Sequence, residues 1–157
     1  MVRYACVAAL VVAIGGGVAL AADPGKVELK AFKMKPAFDG GESLVGYNDG
    51  EEKLFFYTNG TATADIKIDD EAEYTITLDA SCDEAQKKFA QIKVKAGDAV
   101  VKDKFDLTQA AQKEYKFEVK LKKGEHKLSF EFLNDTYKEN EYDLNFYIHG
   151  VKVEKKK

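Results

Sequence analysis

The stretch Asn134-Asp135-Thr136-Tyr137-Lys138-Glu139-Asn140-Glu141-Tyr142-Asp143 holds four acids and a single lysine in ten residues. Crowded carboxylates repel one another unless a cation or water screens them. Calcium takes about six to eight oxygen ligands, mixing carboxylates, carbonyls and water. Asp135 and Asp143 stand at the two ends of the stretch, beside alternating apolar segments that hold their backbones. They are the candidate side-chain ligands of a calcium ion, with Glu141, Tyr142 and the loop carbonyls as further oxygen sources. The loop is not an EF-hand, because the required glycine and the alternating acids are missing. On spacing alone, a solvated acidic turn explains the same residues and is the simpler reading. Tyr137 and Tyr142 lie in the same loop. A tyrosine there either packs its ring on a neighbouring strand or stacks on a flat ligand face, such as a sugar, with its hydroxyl in water. Asn134 and Asn145 complete the candidate ligand-binding set.

Catalytic chemistry has little to stand on. The chain has two histidines, His126 beside a turn and His149 in the last alternating run. Neither lies in a G-x-S-x-G or H-E-x-x-H pattern, and there is no glycine-rich phosphate loop. Two histidines without a His/Cys cluster do not suggest zinc. Acids are numerous enough for a glycosidase pair, but a small all-β domain without a deep cleft does not suit one. The expectation is a protein that is not an enzyme.

The elements that position these residues follow from composition and periodicity. The 157 residues suffice for one sandwich-sized core. Met1-Val2-Arg3 is a short basic start, Ala5 to Leu20 is apolar or glycine, and Ala19-Leu20-Ala21 is a small-x-small site. This is the layout of a secretory leader, expected to span 1–21 and leave a mature domain of 22–157 outside the cytoplasm, secreted or periplasmic. The apolar run of about 16 residues is shorter than the roughly 20 that span a bilayer, so no membrane span is expected. Without Cys6, Cys82 is the one remaining cysteine, which rules out an intramolecular disulfide. A net charge of -3 gives no electrostatic case for a nucleic-acid partner.

From residue 27 onward the dominant period is two. Val27, Leu29 and Ala31 alternate with polar residues, as do Ala62 to Ile68, Tyr74 to Ala80, Ile92 and Val94, Tyr115 to Leu121, Leu128 to Phe132, and Leu144 to Ile148. Alternation puts one face of each strand on a core and the other in water, which antiparallel sheets tolerate. Gly97-Asp98 and Lys122-Lys123-Gly124-Glu125 read as hairpin turns, and Asn59-Gly60 as a break. Residues 106–113 fit a loop or one helical turn. In the last run the apolar phase slips at His149-Gly150, the mark of a β-bulge. The predicted fold is all-β, a single antiparallel β-sandwich of jelly-roll type.

Several short patterns then fall together. Gly124-Glu125-His126 opens one strand, Asn134-Asp135 closes it, and Asp143-Leu144-Asn145-Phe146 opens the last. Tyr57-Thr58-Asn59-Gly60 forms an aromatic-x-Asn-Gly step, and Ala72-Glu73-Tyr74-Thr75-Ile76 a strand after a small-residue turn. As a set over roughly residues 50–153, these resemble the calcium-dependent xylan-binding carbohydrate-binding modules. Leu144 stands where that family has an arginine, and the chain has no tryptophan. The resemblance implies a jelly-roll sandwich without an active site and a calcium held by Asp135, Asp143 and loop carbonyls. The ion would bind vicinal hydroxyls of a xylan-like polysaccharide, with Tyr142 or Tyr137 adding stacking. The alternative is a secreted structural sandwich with a protein partner and no sugar binding.

Overall fold

In the run Lys113–Leu121, Tyr115, Phe117, Val119 and Leu121 are buried while the lysines and glutamates between them are exposed. The same alternation builds nearly every strand of the computed structural model, which describes residues 25–36 and 43–157. The leader reading of 1–21 lies outside the described residues. In chain order the strands are β1 (Lys33–Lys35), β2 (Val45–Asn48), β3 (Lys53–Phe56), β4 (Gly60–Ile68), β5 (Ala72–Cys82) and β6 (Gln91–Ala96). They continue with β7 (Ala99–Asp106), β8 (Lys113–Leu121), β9 (Gly124–Phe132), β10 (Tyr137–Lys138), β11 (Tyr142–Asp143) and β12 (Phe146–Lys155).

Two five-stranded antiparallel sheets result, ordered β1-β4-β9-β6-β7 and β2-β3-β12-β5-β8, with β10-β11 as a separate hairpin. Their inner faces share one core. Phe56 and Phe146 of one sheet meet Phe132 of the other at ring separations of 6.5 and 5.8 Å, and Phe105 meets Phe117 edge-on at 5.1 Å. Such contacts are the interdigitation expected of a sandwich. The single antiparallel β-sandwich expected from the alternation is therefore present.

Three local expectations are resolved. The bulge is present, with the β12–β5 register shifting between Ile148 and Gly150. The turn at 122–125 is not a hairpin: β8 pairs with β5, and β9 with β4 and β6, so the chain crosses from one sheet to the other there. Alternation says which side of each run is buried, and two runs facing each other across a core look the same as two runs side by side. The apolar residues at 27 and 29 do not start a strand. Leu29–Ala31 is a 3-10 turn in which Phe32 N–H donates to the Leu29 carbonyl at 3.1 Å. Its three-residue period puts Leu29 and Phe32 on one face, and both are buried.

Candidate functional site

The 134–145 segment leaves β9 and enters β12, so its two ends are held by strands in opposite sheets. Between them β10 and β11 form a hairpin with register Tyr137↔Asp143 and Lys138↔Tyr142. Asn140 takes the left-handed backbone at φ 60 to close the turn. Directly opposed residues share a face of a β ladder. Tyr137 and Asp143 therefore project together, while Lys138 and Tyr142 project the other way.

That division decides which candidate residues meet. Asp135, Tyr137, Asp143 and Asn145 line one open depression of about 550 Å³, together with Leu44, Tyr57 and Thr58 from the β2–β3 side. Glu141 is exposed and ion-paired to Lys138 across the hairpin turn, and Tyr142 packs half-buried against the core. Neither lines the depression. Asn134 faces elsewhere too: its Oδ1 accepts from Gln91 N–H at 2.7 Å and its Nδ2 donates to the Phe89 carbonyl at 3.0 Å. It clips the loop before β6 to the end of β9 and borders a second depression with Lys87 and Phe89.

The electrostatics of the shared depression are unusual. Burial pushes the Asp135 carboxyl above its ordinary range. Contacts with Thr58 and the Thr136 N–H oppose that shift, and the nearby Asp143 adds to it. Asp135 N–H donates to Asn59 Oδ1 at 2.8 Å, which ties the loop to the Tyr57-Thr58-Asn59 step. Asn145 is 7 % exposed, and its Nδ2 donates to Asp83 Oδ2 at 2.9 Å and to Asp143 Oδ2 at 3.0 Å. With both amide protons taken, Asn145 Oδ1 is left buried without a partner, as is Asp135 Oδ1. Buried polar atoms are rarely unsatisfied, and each such case points to a missing water, ion or role.

Two orphaned acceptors, one on Asp135 and one on Asn145, with the second carboxylate of Asp143 nearby, suit a hard cation that takes oxygen ligands. Among the described residues no three His, Cys, Asp or Glu side chains converge on a point. The donor set is thus two carboxylates and an amide oxygen rather than a carboxylate cage. The residues present fit calcium by donor type.

Residues that sequence reasoning gave no site role are Leu44, Tyr57, Thr58 and Asp83. Tyr57 and Thr58 belong to the aromatic-x-Asn-Gly step, which was the available signal. Asp83 directly follows β5 but carries no local mark. Elsewhere, Ser81 Oγ and His149 Nε2 lie 2.8 Å apart on the outer face of the sheet. Asp79 acts on that ring through its charge, and among the described residues no hydrogen bond orients the other nitrogen. This does not build a nucleophile pair. Cys82 is buried, and desolvation pushes its thiol up, away from the thiolate that a reactive cysteine needs.

Comparison with known proteins bears on the fold and the family. No curated protein matches the sequence. Among solved structures, a CBM36 carbohydrate-binding module in complex with calcium and xylotriose superposes with a TM-score of 0.60 at 14% identity, covering 82% of this chain and 98% of its own. The CBM36-1 domain of a multidomain xylanase from the hindgut metagenome of Trinervitermes trinervoides gives 0.60 at 13%, covering 84% and 97%. A family 35 module from Clostridium thermocellum gives 0.57 at 11%, covering 84% and 98%. These likenesses establish the fold. The model of CBM60, the Ca-dependent xylan-binding carbohydrate-binding module family, matches residues 75–157, more than half of the sequence, from within β5 through the 134–145 loop to the end. The chain therefore belongs to the Ca-dependent, xylan-binding carbohydrate-binding module family.

Proposed function

We propose that the protein is an exported, non-catalytic module that binds a xylan-like polysaccharide through a calcium ion held by Asp135, Asp143 and the Asn145 amide oxygen. The observation that carries the reading is the pair of buried, unpartnered oxygens, Asp135 Oδ1 and Asn145 Oδ1, on two residues that line one depression with Asp143. When bound, the calcium would offer vicinal sugar hydroxyls a stronger partner than exposed hydrogen bonds can. The chain's own residues supply the rest. Asp135 and Asp143 provide the negative charge. Tyr57, 42% exposed, and Tyr137, 66% exposed, offer ring faces at the rim of the depression. Tyr57 is braced by Phe55 at 4.8 Å and Tyr147 at 6.2 Å between ring centroids, so its ring is already ordered before any ligand arrives.

The family and the xylotriose bound by the CBM36 module of the same fold support the xylan-like ligand. The test is calorimetric titration with calcium, followed by affinity for xylan, mannan and cellulose oligosaccharides with and without chelator. Calcium-dependent binding of xylo-oligosaccharides is expected. Equal sugar binding in chelator would remove the ion from the mechanism. No binding of any oligosaccharide in saturating calcium would remove the sugar.

A further inference from the structure

Asn145 lines the depression with its amide oxygen buried and unpartnered and its nitrogen fully engaged, and something must enforce that choice. An amide free to rotate about its last torsion would offer either end. Here both Nδ2 protons are engaged, one by Asp143 Oδ2 and one by Asp83 Oδ2. Asp83 does not line the depression. It sits behind Asn145 at the end of β5, its N–H donating to the Asn145 carbonyl at 3.0 Å. Its Oδ2 also accepts the Tyr147 hydroxyl at 3.0 Å. Tyr147 is itself packed against Tyr57 and lies under the Lys53 ammonium at 4.4 Å. Asp83 is thus fixed from its backbone and from its side chain.

We infer that Asp83, braced by Tyr147, is a positioning residue for the cation site: it draws the Asn145 amide nitrogen away and so aims Oδ1 at the ion. This rests on the calcium reading above. The same bond pattern acts on the second ligand. Asp143 accepts the Asn145 amide at Oδ2, and among the described residues no hydrogen bond engages its Oδ1, which is open to a cation. One carboxylate outside the depression thereby orders two donors inside it. Outer residues of this kind typically change metal affinity by about 10–100-fold when removed.

The experiment compares wild type with Asp83→Ala, Asp83→Asn and Asp65→Asn. Asp83→Ala removes the acceptor. Asp83→Asn keeps one acceptor oxygen but removes the charge. Asp65→Asn removes a charge in the middle of β4, away from the depression, where Asp65 pairs with Lys127. Calcium affinity is measured by calorimetry. The number of waters on terbium substituted for calcium is read from its luminescence lifetimes in water and heavy water. Asp83→Ala is expected to weaken calcium at least about tenfold and to admit about one more water, as the amide oxygen turns away. Asp83→Asn is expected to keep most of the affinity and the wild-type water count, and Asp65→Asn to match wild type. If Asp83→Ala binds calcium as wild type does, the positioning role is overturned while the calcium site stands. If both Asp83 variants weaken calcium alike with no change in bound water, Asp83 acts by charge alone and the inference is equally overturned. If wild type takes up no calcium, the site itself fails first. Should Asp83→Ala not fold, Tyr147→Phe replaces it: a severalfold loss of affinity is expected, and unchanged affinity overturns the brace.

Discussion

Replacing Asp135 with asparagine should stabilise the calcium-free protein and abolish its response to calcium. The Asp135 carboxyl is half-buried, its Oδ1 has no partner, and Asp143 repels its charge. Folding therefore raises its proton affinity. For a carboxyl raised in this way the folded state is penalised once it ionises. The penalty is absent below the ordinary carboxylate range near pH 3.9 and grows as pH rises through the folded value. In chelator at pH 7, Asp135→Asn should melt at or above the wild-type temperature, and the gap should close on acidification. Calcium reverses the ranking. Extracellular calcium modules bind with Kd of roughly 10⁻⁴–10⁻³ M, so 10 mM calcium is about 10–100 times Kd. Mass action then stabilises wild type by about 1.4–2.7 kcal/mol. For a chain of this length that is a rise in Tm of roughly 3–11 °C. Differential scanning fluorimetry with 10 mM calcium and with chelator reads both effects. Identical wild-type curves in the two buffers, or a full calcium shift in Asp135→Asn, would refute the reasoning.

Four further outcomes are expected. Phe130→Ala should cost about 3–5 kcal/mol in urea unfolding, since the ring is fully buried between the sheets, and a loss under about 1 kcal/mol would mean the core face is misassigned. Asn134→Ala strands the Gln91 N–H and the Phe89 carbonyl, so it should destabilise by about 1–3 kcal/mol yet leave calcium affinity within twofold; a large affinity loss would return Asn134 to the site. Burial holds the His149 imidazole below its ordinary range, so the unfolded chain binds the proton more readily. Stability from this residue should fall as pH drops through about 6.5 and go on falling to the lower folded value, and His149→Gln should flatten that slope in melts between pH 5 and 8. The exported protein should begin near Ala22 or Asp23, and mass spectrometry finding Met1–Ala21 intact would contradict the leader reading.

How far the site was legible depended on the range of the signal. The runs at Tyr115–Leu121 and Leu128–Phe132 revealed their buried faces at once, because a period of two is a property of each strand alone. The phase slip at His149-Gly150 revealed the bulge for the same reason. Asp135 and Asp143 could be singled out as candidates because acids at strand ends are local features. Other assignments needed distant neighbours. That β8 and β9 sit in opposite sheets is decided by which strands supply their ladder bonds, Ala72–Cys82 for one and Gly60–Ile68 with Gln91–Ala96 for the other.

Within the acidic loop, types and spacing made Tyr137 and Tyr142 equivalent, and likewise Asn134 and Asn145. The hairpin register separates the tyrosines, since opposed pairs share a face and the next pair takes the other. The asparagines are separated by what each amide finds in space: backbone groups of 89 and 91 for Asn134, the carboxylates of Asp83 and Asp143 for Asn145. The sequence alone determined that these strands alternate, where the loop is anchored and that it is rich in hard oxygen donors. Only the tertiary structure decided which of those residues gather in one depression. Convergence is set by strand pairing and register between residues as far apart as Thr58, Asp83 and Asn145, and no local pattern in the chain encodes it.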